Sequence, residues 1–241
     1  NSTVDTRRLA AQIVDALYEE QLGEIAGLRR NKAYDQALIA IQKTERLLQS
    51  YPEMVRRPLA LDSEKQQVLS GKFQSMISET ETLVSAGRLD QALEQARRTK
   101  VFVQDYQLEA SMERESQRQH LRVQQLRYER FVRGGERAQE SSQYTQALEQ
   151  YEAAQQLERE ETDIRTDASL ASRITSAAVA AAEELFAQSM RTNGSNNERL
   201  MDVRGQVSSL ANRYGISNHT AIQNIFNQLD DQLCSNARGI L

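Results

Sequence analysis

The sequence predicts an all-α chain, a superhelical stack of antiparallel helical hairpins with long helices, and three observations carry that expectation. The first is a repeat. Tyr34-Asp-Gln-Ala37-Leu38, Leu89-Asp-Gln-Ala92-Leu93 and Tyr144-Thr-Gln-Ala147-Leu148 follow one another at intervals of 55 residues, and a fixed period of that size marks stacked supersecondary units. The second is composition: Ala, Leu, Gln, Glu and Arg, all good helix formers, dominate, and two Pro and ten Gly offer long helices little opposition. The third is the lack of β-branched and aromatic runs bounded by turn residues, the pattern that strands require.

Taken in order, Thr6 to about Arg30 places Leu9, Ile13, Val14, Leu17, Tyr18, Leu22, Ile25 and Leu28 on one broad helical face. Asn31-Lys32 breaks it. A second helix follows from about Ala33 to Ser50, with Tyr34, Ala37, Leu38, Ile41, Leu47 and Leu48 apolar, and Tyr51-Pro52 ends it because proline disfavours helical geometry at the residue before it. If whole hairpins repeat, the first helices must align as well as the motif. Ile13 falls on Val68 and Val123, Tyr18 on Phe73 and Tyr128, Leu22 on Ile77 and Val132, and Leu28 on Leu83 and Ala138. In the second helices Leu47 falls on Phe102 and Leu157, and Tyr51 on Tyr106.

The expected hairpins therefore cover about 6–51, 61–107 and 113–160, turning at Asn31-Lys32, Ala86-Gly87 and Ser141-Ser142. First helices of roughly 25 residues are rods of about 37 Å. Gly134-Gly135 lies inside the third of these, where glycines cost about 1 kcal/mol each against Ala; close helix packing or a mild kink is the expected reason, with a functional hinge as the alternative. Past Asp167 the pattern loosens into a divergent fourth hairpin, about 168–213. Its first helix is alanine-rich over Ala177–Ala182, its loop is Asn193-Gly-Ser-Asn-Asn197, and its second helix carries Leu200, Val203, Val207 and Leu210 without the Ala-Leu signature. A final helix, about 218–241, carries Ile222, Ile225, Phe226, Leu229 and Leu233, and either begins a fifth hairpin or caps the stack. The whole of 1–241 is expected to be one repeat domain.

The repeated motif resembles the second helix of a tetratricopeptide repeat. The residues that carry the likeness are Tyr34, Ala37, Ile41 and Thr44, then Gly87, Leu89, Ala92, Ala96 and Thr99, then Tyr144, Ala147, Tyr151 and Ala154. Small side chains where helices cross let backbones approach, and bulky neighbours fill the grooves. The family's period is 34, its Trp-x-x-Leu-Gly pattern is missing here, and its proline has only Pro52 as a late counterpart, so the likeness covers about 15 residues in each of three copies. The resemblance implies an α-solenoid, similar to docking scaffolds that form one segment of a larger assembly, soluble parts of bacterial envelope secretion and pilus machines among them. It implies a protein or peptide partner. The compartment stays open between the cell envelope, periplasm included, and the cytoplasm.

A chain of 241 residues can bury a large core even at 39% hydrophobic content. Its net charge of −4, with both signs mixed along most helices, argues against a general binder of nucleic acid but leaves room for a local basic stripe. No apolar run of about 18 residues exists, so no membrane insertion is expected. The chain starts without Met and stops at Gly239-Ile-Leu241 in a helical pattern, which reads as a piece of something longer.

Residues able to do chemistry are few. His120 and His219 are far apart in sequence and lack a carboxylate at helical metal-pair spacing. Cys234, the single cysteine, excludes an intrachain disulfide framework and is expected to be buried on the apolar face of the last helix. Asp230-Asp231 diverge by about 100° on a helix and read as solvated. Sequons at Asn1, Asn193 and Asn218 matter only in a eukaryotic secretory setting. No catalytic residue, metal ligand or cofactor is expected, and an enzyme is disfavoured.

The candidate partner-binding surface is a stripe on the third copy's first helix. With Tyr128, Phe131, Val132 and Ala138 facing inward, Arg122, Arg130, Arg133 and Arg137 fall outward, able to hold an acidic peptide, a phosphate or nucleic acid. Glu129 and Glu136 flank them, and an ordinary solvated face is the competing account. The main expectation is thus a non-enzymatic protein-binding scaffold; the alternative is a coiled-coil-like or self-assembling helical rod, against which stand wide apolar stripes and breaks every 25 to 30 residues.

Overall fold

The computed structural model describes residues 2–193 and 196–238, with residues 2–4 and 193 described by backbone only. Asn1, the Asn193 side chain, the Gly194-Ser195 part of the expected loop and the terminal Gly239-Ile-Leu241 lie outside the described residues. Within the described residues the fold is all-α. Nine helices follow in order: α1 Ser2–Arg30, α2 Tyr34–Ser50, α3 Leu59–Ser85, α4 Leu89–Asp105, α5 Ala110–Glu140, α6 Tyr144–Glu160, α7 Leu170–Asn193, α8 Asn197–Arg213 and α9 Thr220–Arg238. A 3-10 turn spans Pro52–Met54, and no strand occurs among the described residues.

Long and short helices alternate. α2, α4, α6 and α8 have 17 residues each, so α8 keeps the length of the other short helices although it lost their Ala-Leu signature. Each of the first three long-to-short turns ends a helix in the same way. Lys32, Gly87 and Ser142, 55 residues apart, adopt left-handed backbone at φ 57°, 71° and 58°. The next amide then reaches back five residues: Ala33 to Leu28 O at 2.9 Å, Arg88 to Leu83 O at 2.9 Å, and Gln143 to Ala138 O at 2.8 Å. That is the Schellman closure, which satisfies carbonyls a helix end leaves orphaned. Gln107 and Gly215 close α4 and α8 by the same bond, from Leu108 to Val103 O and from Ile216 to Ala211 O.

The chain forms two compact units, Asn1–Val123 and Gln124–Leu241. In the first, α1 packs on α2 and α3, α2 on α3, and α3 on α4. Its core gathers Tyr18, Ile25, Ile41, Leu61, Val68 and Phe73. The period shows in what is buried and what is not. Val68 and Val123 are fully buried, yet their counterpart Ile13 is 61% exposed, with Leu9 and Leu17 beside it. Among the described residues α1 has no earlier helix to cover that face, so the broad apolar stripe expected of α1 is half solvated.

In the second unit α7 packs on α6, α8 and α9. Its alanines are the reason it can. Ala177, Ala178 and Ala182 are fully buried, and small side chains let three helices approach one axis. Leu157, Leu170, Leu200, Ile222 and Leu229 fill the spaces around them. At the motif's crossing points Ala37, Ala92 and Ala147 are each 0% exposed. Gly134-Gly135 leaves α5 unbroken.

Two tyrosines tie long helices to the segments beyond the following short helix. Tyr18 Oη accepts from Leu61 N at 3.1 Å and lies within donating distance of Arg57 O and Pro58 O. Its counterpart Tyr128 accepts from Asp167 N at 2.7 Å and donates to Glu158 Oε1 at 2.7 Å. One residue type at one place in the period therefore holds equivalent connections. Asp15 and Gln125, again 110 residues apart, likewise accept from Arg56 N and Arg165 N.

Candidate functional site

The arginines singled out in the sequence lie on α5, but they differ in surroundings. Arg122 belongs to the first unit and is 58% exposed, its Nη1 3.9 Å from Glu81 Oε1. The other three belong to the second unit. Arg133 pairs with Glu129 at 3.6 Å and donates to Glu129 O; Arg137 Nε donates to Arg133 O at 3.2 Å. Arg130 sits with its Cζ 5.6 Å from the Phe131 ring centre, and Arg127 takes a similar place at 5.9 Å. Phe131 is half-buried, and Arg130, over its ring, is itself only partly exposed. Arg133 and Arg137 remain exposed.

The other residues weighed from the sequence differ in burial. His120 is buried in the first unit, and exposed His219 accepts from Ala221 N at 3.3 Å through Nδ1. Cys234 is exposed, which corrects the expectation of a buried thiol. Five residues beyond buried Leu229, it is rotated about 140° from it and leaves the packed face of α9. Asp230 accepts from Arg204 at 2.9 Å and 3.3 Å, while Asp231 faces solvent. Asn218 is exposed. Among the described residues no group of three or more His, Cys, Asp or Glu is placed to hold a metal ion, and no helix is long and apolar enough to cross a membrane.

The sequence did not reveal a groove of about 800 Å³ inside the second unit, where α6 and α8 flank a strip of α7. Leu148, Leu185 and Leu210 supply its apolar part, and Met201, 63% exposed, stands at its edge. Acidic groups line it from both sides: Glu149 and Glu152 from α6, Asp202 from α8. One end is built firmly. Glu152 accepts from Arg213 Nη2 at 2.7 Å and from Tyr214 Oη at 2.8 Å, so a single carboxylate joins α6 to the end of α8. Burial, helped by that bond to Glu152, pushes the Tyr214 hydroxyl up to about 12, and the group stays a neutral donor.

At the other end Asp202 accepts from Gln206 at 2.9 Å. Between the two, Gly205 borders the groove, and a Cβ there would meet nothing within 4 Å. The arrangement can take up an apolar side chain with carboxylates on both flanks. Sequence signals for it existed only in part. Gly205 falls inside the helical pattern of α8, but Leu148 and Leu210 read as ordinary core positions.

No family model matches the sequence, and neither a curated protein nor a solved structure matches the chain.

Proposed function

We propose that the chain is a tetratricopeptide-like array of antiparallel helical hairpins acting as a non-enzymatic scaffold for a protein partner. The observation that carries this reading is the recurrence of one turn, with a left-handed residue at Lys32, Gly87 and Ser142 and the same backbone closure after each. Three-residue connections between mutually packed helices return the chain along itself, and a repeated return is how solenoid arrays are built. Much of the polar chemistry described above holds helices together: Tyr18, Tyr128 and Glu152 all bond across elements. An open, partly apolar groove in such a framework suits a peptide or helix of another protein. By its resemblance the array would work as one segment of a larger assembly, a bacterial envelope secretion or pilus machine being the setting we favour.

Photo-crosslinking in the cells that make the protein tests the reading. Crosslinkers at exposed positions of α5, α6 and α8 should join the chain to one discrete heterologous protein. Crosslinks to copies of the chain alone would contradict it. That outcome belongs to the second reading, a self-assembling helical rod, which the exposed Leu9, Ile13 and Leu17 favour, since their spacing of four puts them on one side of α1. Solution scattering separates the two: a scaffold monomer keeps its mass on dilution, and a rod does not.

A further inference from the structure

Resting on the scaffold reading, we propose that the α6–α8 groove docks a basic peptide segment that inserts an aliphatic side chain among Leu148, Leu185 and Leu210. Three features of the groove specify this occupant. Its apolar part is three leucines and Met201 set among polar and charged lining residues, which suits one or two inserted side chains better than a flat hydrophobic partner. Its charge is one-sided. Glu149, Glu152 and Asp202 face a single guanidinium, Arg213, which is already bonded to Glu152. Glu149 is exposed, and Asp202 is bonded only through a neutral amide, so both keep their charge for an incoming Lys or Arg.

The third feature is Gly205. It sits inside α8, where glycine is among the poorest helix formers, and no neighbour requires the missing side chain. Removing the side chain at that point keeps the groove open and lets a peptide backbone come close to α8. From Met201 to Arg213 the helix runs about 18 Å, room for some three helical turns or five extended residues of a partner.

A randomised dodecapeptide library selected on the full chain tests the proposal, with Gly205→Trp as the counter-selecting protein. Tryptophan at this open helical position fills the groove and leaves the fold intact, which an unchanged or higher melting temperature verifies. Enriched peptides should carry Lys or Arg around one or two aliphatic residues. Their affinity should fall about tenfold or more in Gly205→Trp and in Glu149→Lys/Asp202→Lys, and should weaken with added salt. Enrichment of acidic or uncharged peptides overturns the proposed occupant. Binding that survives Gly205→Trp overturns the groove and leaves the scaffold reading standing. No enrichment, or loss of self-association in Gly205→Trp, overturns the proposal too, the latter in favour of a second copy of the chain.

Discussion

Gly135 and Tyr151 share one space: a methyl group on the glycine would lie 2.3 Å from Cε1 of the tyrosine ring. Tyr151 is fully buried and donates to Gln139 Oε1 at 3.1 Å, so the ring has nowhere to go. The counterparts of this pair are Ile25 with Ile41 and Thr80 with Ala96, all buried. The period thus keeps the positions and redistributes the volume across them.

Neighbouring glycines should therefore respond in opposite ways. Gly135→Ala gains about 1 kcal/mol of helix propensity but overpacks a ring in the core, which costs about 1–3 kcal/mol. A net loss of stability is expected. Gly134 faces the flexible amide of Gln150, 2.8 Å from the same added methyl, and a side chain end can swing aside. Gly134→Ala should leave stability unchanged or raise it. Chemical denaturation of both variants decides.

The turns offer a second comparison. Gly87→Ala places a Cβ in left-handed backbone and should destabilise by about 1 kcal/mol. Ser142→Gly and Lys32→Gly relieve the same strain and should stabilise, by less, since glycine loses more entropy on folding. Opposite signs at equivalent positions, with the smaller change at Lys32 and Ser142, are the expected pattern in the melting midpoints.

Tyr128 predicts a pH dependence. Burial, then its bond to Glu158, pushes its hydroxyl up to about 12 from the ordinary 10.0. The proton is held more tightly in the folded chain, so this contribution is complete below pH 10 and is lost as pH rises through about 12. Tyr128→Phe removes both hydrogen bonds and should cost about 1–3 kcal/mol at neutral pH. Its stability should then decline less steeply than wild type across the alkaline window. Denaturation at several alkaline pH values is the measurement.

The helical content, the order of packing and the long-to-short turns were legible because each is written locally, in small residues and breaks repeated every 55 residues. Ala37, Ala92 and Ala147 announced their burial through the motif around them. What was not legible depends on distance. The Tyr128 hydroxyl meets an amide 39 residues away, and the groove needs α8, whose sequence departs from the motif that identified its counterparts. Leu185 and Leu210 show an apolar face without showing that part of it stays uncovered. Cys234 misled because it directly follows apolar Leu233: its neighbours three and four residues away are Asp230, Asp231, Ala237 and Arg238, and the buried face of α9 runs through Ile222, Ile225 and Leu229.

The central claim is that one 55-residue unit sets the architecture, and thermal melting of three matched variants tests it most directly. Ala37→Phe, Ala92→Phe and Ala147→Phe each force a ring into a fully buried helix crossing and should each destabilise by about 1–3 kcal/mol. The neighbouring exposed glutamines Gln36, Gln91 and Gln146, changed in the same way, should leave melting nearly unmoved. Unchanged melting in the three alanine variants would contradict the repeat.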